Sequence, residues 1–210
     1  MHFNRQALDQ LEDRFRARLI NSLSGFKSAN LIGTISDNGI TNLSIVSSVF
    51  HIGANPPLVG MIIRPHSVTR DTLENIINTR QYTINQVSDR FWQQAHQCSA
   101  RYDADISEFD AVGLTPEYVE GVLPPFVAES QLKYALDVRE IQTLEINGTV
   151  LVIGEIGEIF VGEDAVAEDG YVDIEKIGTV AVSGLDSYHT TQRLGRLSYA
   201  KPGQEIKKID

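Results

Sequence analysis

Residues 30–50 read Asn30-Leu31-Ile32-Gly33-Thr34-Ile35-Ser36-Asp37-Asn38-Gly39-Ile40-Thr41-Asn42-Leu43-Ser44-Ile45-Val46-Ser47-Ser48-Val49-Phe50. Leu31, Gly33 and Ile35 alternate, Asp37-Asn38-Gly39 supplies a tight-turn signal, and alternation resumes from Thr41 to Phe50. A two-residue period on both sides of an Asn-Gly turn is the pattern of a β-hairpin. Strict alternation puts Leu43, Ile45, Ser47 and Val49 on one face of the second strand. Asn42, Ser44, Val46, Ser48 and Phe50 then fall on the other.

The same reading extends outward in both directions. Leu8, Leu11, Phe15 and Leu19 stand at helical spacing, which predicts one amphipathic helix over Arg5–Leu23, ended by Gly25. Leu58–Ile63, between Pro56-Pro57 and Pro65, reads as a strand. Asp71–Asn78 reads as a helix, with Asp71 and Glu74 resembling a capping box. Tyr82–Val87 reads as a strand and Asp89–Ala100 as a helix. Residues 101–128 contain Pro116, Gly121, Pro124 and Pro125, which interrupt any long element. Ser130–Leu144, Asn147-Gly148 and Thr149–Val161 form a second, longer hairpin. Eight acids and no Lys or Arg occupy residues 155–175, the composition of a solvated acidic loop and edge. The tail 202–210 is polar. With no repeat and no linker, the chain reads as one β-rich α+β domain over 1–210. The expected form is a Greek-key barrel or sandwich with peripheral helices, residues 1–25 forming an N-terminal helix packed on it.

Composition narrows the functions. In a chain of 210 residues, 18 basic against 28 acidic side chains give a net charge of −10, which disfavours nucleic acid and anionic membranes as partners. No apolar run is long enough for a membrane span, and the N-terminus lacks a signal-peptide core, so a cytoplasmic location is expected. The lone cysteine, Cys98, has no partner for an internal disulfide. G-x-G-x-x-G after a strand, a P-loop, H-E-x-x-H and G-x-S-x-G are all absent, and no metal site is expected. The five histidines are scattered and read as structural or exposed.

Two segments hold the candidate site. In Asn42–His51, hydroxyls on both faces near the strand end would present polar groups, and small side chains would let a planar ligand approach the backbone. A surface strand with ordinary serines has the same pattern. In Arg64-Pro65-His66-Ser67-Val68-Thr69-Arg70-Asp71-Thr72, two arginines, a histidine, a serine and two threonines lead directly into a predicted helix. Free N–H groups, the helix dipole and forked guanidinium donors suit an anion there. Helix capping with surface arginines is the plainer alternative.

Taken together, Asn42–Phe50, Asn55-Pro56-Pro57-Leu58-Val59, Arg70-Asp71-Thr72-Leu73-Glu74-Asn75-Ile76 and Ser107-Glu108-Phe109-Asp110 resemble the flavin reductase-like family, the FMN-binding split β-barrels. The resemblance implies FMN as cofactor, in a groove at the interface of a homodimer. It implies Ser47, Ser48 and Val49 at the isoalloxazine edge, with Asn42 on the same strand. Arg64, His66, Arg70, Asp71 and Thr72 would stand at or around the phosphate. Tyr188 and His189, in a C-terminal run that varies within the family, would come close to the ring. The implied activity is an NAD(P)H-dependent flavin reductase, in which the flavin carries the chemistry and NADH or NADPH is the donor. A non-enzymatic FMN-binding electron carrier or flavin store is the alternative.

Overall fold

The computed structural model describes residues 1–65 and 71–209. Its centre is an antiparallel seven-stranded sheet. The strands are β2 (Asn30–Ile35), β3 (Thr41–Val46), β4 (Val49–Ala54), β5 (Pro57–Ile63), β6 (Gln81–Gln86), β9 (Leu132–Thr143) and β10 (Val150–Val161). They lie in the order β3-β2-β6-β9-β10-β5-β4. The two edge strands, β3 and β4, are joined only by Ser47-Ser48. Three peptide links span at most about 11 Å, whereas the edges of a flat seven-stranded sheet would stand about 29 Å apart. The sheet therefore curls until its edges meet, and the fold is a barrel split between β3 and β4.

Helix α3 (Asp71–Thr79) leads from β5 to β6 and skips the two positions that β9 and β10 later fill, which gives the Greek-key order. Leu73 and Ile76 of α3 are buried with Ile32, Met61, Tyr82, Ile84, Leu136 and Val152 in the interior cluster. A second cluster lies on the other face of β2 and β3. There Leu31 and Leu43 pack with Phe91, Ala95, Cys98 and Phe109, which belong to or flank the short helices α4 (Trp92–Gln97) and α5 (Glu108–Val112). A small sheet of β1 (Lys27–Ser28), β11 (Ala181–Ser183) and β12 (Ser187–His189) adds Val182 and Tyr188 to this cluster.

Both expected hairpins are present. Gly39 at φ +80° turns the first, with Ile35 opposite Thr41. Gly148 at φ +71° turns the second, where its N–H donates to the Leu144 carbonyl at 2.8 Å. Three expectations need correction. The N-terminal helix is two helices, α1 (Arg5–Asp9) and α2 (Asp13–Ser22), because the Glu12 carboxylate caps the second by accepting from the Phe15 N–H at 2.9 Å. Neither helix buries a residue. The Asp89–Ala100 helix is confined to α4. The segment around Pro124-Pro125 forms β8 (Val122–Val127), paired with β7 (Pro116–Val119). Proline is tolerated because β8 lies outside the barrel ladder and is held by side chains. Thr83 Oγ1 donates to the Pro125 carbonyl at 2.8 Å, and the Val127 N–H donates to Asn85 Oδ1 at 2.9 Å.

Candidate functional site

At the split, β3 pairs only with β2 and β4 only with β5, so among the described residues no strand covers the outer edges of β3 and β4. Ser48 pins the junction: its hydroxyl donates to the Ile62 carbonyl at 2.6 Å, and the Ile62 N–H donates to the Ser48 carbonyl at 3.3 Å. This junction interrupts the alternation expected from Thr41 to Phe50. Val46 and Val49 both pack on the barrel interior, whereas Ile45 packs on the opposite cluster. Val49 is therefore on the face opposite to Leu43 and Ile45, a correction caused by the two-residue break. Phe50 and Ile52 cross over Gly60, where a Cβ would meet the Phe50 ring at 2.5 Å, and both stay exposed at 44 % and 41 %.

A polar relay joins β3 to the start of α3. Asn42 Oδ1 accepts from Thr72 Oγ1 at 2.8 Å and from Thr34 Oγ1 at 3.2 Å. Asn42 Nδ2 donates to Glu108 Oε2 at 2.9 Å, and the Leu43 N–H donates to the same oxygen at 2.9 Å. Thr72 Oγ1 also lies 2.9 Å from Ser44 Oγ, and Asn75 Nδ2 donates to Thr34 Oγ1 at 3.1 Å. Asn42 thus has both ends of its amide engaged within the chain. The Thr72 hydroxyl is turned onto β3. Burial raises the Glu108 carboxyl above the ordinary carboxylate range, against the hydrogen bonds from Leu43 and Asn42. Beside the relay, Asp37, Thr41, Asn42, Asp71, Glu74 and Asn78 help line a cleft of about 250 Å³.

Helix α3 begins at Asp71, which places Asp71 and Glu74 in its first turn. Arg64 is exposed at the end of β5. His66 and Arg70 lie outside the described residues. Asn42, Asp71 and Thr72 are brought together, and Ser47, Ser48 and Val49 meet at the split. Tyr188 and His189 each have partners within the chain. The Tyr188 hydroxyl and His96 Nδ1 are 3.0 Å apart, and its ring stands 5.3 Å from that of Trp92. His189 Nε2 is 2.8 Å from Ser183 Oγ, and its ring is 4.9 Å from Phe26. Burial raises the Tyr188 phenol.

Sequence reasoning noted Glu108 only within a family-like segment, with no role in the site, and missed Thr34. Glu108 stands 65 positions from its main-chain donor at Leu43, a distance no local period reports. The available signal was a carboxylate placed directly before the apolar Phe109.

The barrel and its split edge define a split-barrel protein. Residues 23–176 match the family model described as a flavin reductase like domain. The chain belongs to that family. A split-barrel protein of Shewanella frigidimarina, described as a candidate flavin reductase, is 59 % identical with a TM-score of 0.92, over 95 % of this chain and 100 % of that one. Component B of a Bacillus cereus nitrilotriacetate monooxygenase is 18 % identical with a TM-score of 0.83, over 94 % and 98 %. The 2-nitrobenzoate 2-nitroreductase of Pseudomonas fluorescens is 23 % identical with a TM-score of 0.82, over 98 % and 99 %. The last two likenesses bear on the fold alone.

Proposed function

We propose that the chain binds FMN at the split between β3 and β4 and acts as an NAD(P)H-dependent flavin reductase, with a second copy completing the groove. The observation that carries this reading is the meeting, at Ser47-Ser48, of two strand edges that no further strand among the described residues covers. The main-chain groups on those edges other than the ones Glu108 and Ile62 engage, beside small hydroxyl side chains, would fit the polar edge of a planar heterocycle. Ser47, Ser48 and Val49 would present that edge. The first-turn N–H groups of Asp71 and Thr72, with Arg64, His66 and Arg70, would hold the phosphate. Asn42 would act from behind, through Thr72. Tyr188 and His189, half-buried beside Trp92 and Phe26, would offer aromatic faces next to the ring. Exposed Phe50 and Ile52 support a two-fold interface, since an isologous contact uses the same patch twice. FMN, when bound, supplies hydride acceptance from NADH or NADPH.

The family match supports the flavin reading, and the fused run of basic and hydroxyl residues before α3 supports FMN over riboflavin. Fluorescence titration tests it. FMN should bind at least ~10-fold more tightly than riboflavin, the equivalent of about 1.4 kcal/mol from charge-assisted contacts. Arg70→Ala should remove most of that preference. Equal affinities for the two flavins would refute the phosphate assignment.

A further inference from the structure

We infer that Glu108 is a positioning residue for the phosphate end of the flavin site, acting through Asn42 and Thr72 on the first turn of α3. The inference rests on the reading that FMN phosphate is held at that turn. Glu108 is buried at 7 % exposure, and two N–H donors converge on one of its oxygens. A side-chain amide can present either end, and its partners decide which. An ionised carboxylate only accepts, so Glu108 draws Asn42 Nδ2 towards itself and leaves Asn42 Oδ1 facing α3. That oxygen collects the hydroxyl proton of Thr72, the second residue of the helix.

The rest of the relay follows the same polarity. Thr34 Oγ1 accepts from Asn75 Nδ2, so its own proton goes to Asn42 Oδ1. Thr72 has one proton and gives it to Asn42 Oδ1, the shorter of its two contacts, with Ser44 Oγ the other oxygen within its reach. One carboxylate on α5 thereby orients the Asn42 amide that receives the Thr72 and Thr34 protons. The first-turn N–H groups of a helix have no intrahelical partner, and an anion placed there depends on where the turn sits. Thr72 need not touch the phosphate: its hydroxyl holds the backbone that does.

The test uses the full chain, with FMN and riboflavin affinities measured by quenching of flavin fluorescence and folding followed by thermal melting. Glu108→Ala and Thr72→Val should each weaken FMN by about 10-fold, the loss of one well-made hydrogen-bonded contact, while riboflavin stays within about 2-fold. Thr72→Ser keeps the hydroxyl and should retain the preference. Glu108→Gln should retain most of it, because its amide oxygen still accepts both N–H groups. In the double variant Glu108→Ala/Thr72→Val the FMN loss should match that of Thr72→Val alone, since both changes cut one relay. Should Glu108→Ala fail to fold, Asn42→Leu carries the test with the same expected selective loss.

Equal weakening of both flavins, or multiplying losses in the double variant, would overturn the inference. A loss in Thr72→Val with none in Glu108→Ala would overturn the relay and leave the phosphate reading standing. A wild-type chain that binds both flavins equally would overturn both.

Discussion

Gly33→Ala tests how β8 is seated on the barrel. Gly33 has an ordinary backbone angle, so alanine brings no conformational strain, and the effect is steric. An added Cβ would lie 2.3 Å from Thr83 Oγ1 and 2.5 Å from the Pro125 carbonyl oxygen. The hydroxyl can rotate, but the carbonyl belongs to a buried strand that must move away. Overpacking of this kind costs about 1–3 kcal/mol. Separation of Thr83 from Pro125 breaks a 2.8 Å hydrogen bond and leaves a buried acceptor unpaired, for about 1–3 kcal/mol more. Alanine recovers about 0.4–1 kcal/mol by restricting the unfolded chain. The net loss is about 3 kcal/mol, which lowers Tm by roughly 6–12 °C at this chain length. Gly157→Ala is the control, because its nearest neighbour, Asp137 Oδ2, is 3.9 Å away. Melting followed by circular dichroism at one fixed protein concentration decides the matter. A Gly33→Ala protein melting within about 2 °C of wild type would refute the packing of β8 against β2.

Cys98 should resist thiol reagents in the folded protein at pH 8 and react at once in denaturant. Its thiol is pushed up to about 12, by burial first and by the neighbouring Glu108 second. Because the folded thiol keeps its proton after the unfolded one has lost it, its contribution to stability should fall as pH rises above about 8.5; urea midpoints of wild type and Cys98→Ala, compared at pH 7 and 10, check the sign. Light scattering at micromolar concentration should give twice the chain mass, and Phe50→Glu should shift it towards the monomer. A wild-type monomer would contradict the two-fold groove. Steady-state oxidation of NADH or NADPH should show a KM of about 0.1–1 mM, in the upper part of the usual range, since no dinucleotide motif is present to bind the donor tightly.

Much of the barrel was legible because its turns are written in local chemistry. Asn38-Gly39 and Asn147-Gly148 announce the two hairpins, and in each the glycine adopts positive φ. The split was less legible. Ile45-Val46 and Ser47-Ser48 are each a pair of like residues, so the alternation lapses there without telling that the strand ends and that Val49 changes face. Pro124-Pro125 looks like an interruption, yet β8 pairs with β7 and is held to β6 by side-chain partners. The acidic loop reads as simply solvated, whereas Arg196 pairs with Asp169 and lies 4.2 Å above the Tyr171 ring. That pairing brings together residues 27 positions apart. Among the site residues, Asn42 and Thr72 were legible as polar residues in notable segments. Their contact, and the dependence of both on Glu108, arise only when α3 and α5 close on β3. Tyr188 and His189 read as candidates from the family resemblance; the fold pairs them with His96 and Ser183.

The central claim is that this chain holds FMN where a nicotinamide can reach it. Anaerobic stopped-flow mixing of the FMN-loaded protein with millimolar NADH or NADPH, followed by flavin absorbance, tests it most directly. At least one of the two should bleach the flavin within minutes. Flavin that stays oxidised with both donors, while dithionite reduces it at once, would contradict the reductase and leave an electron carrier in its place.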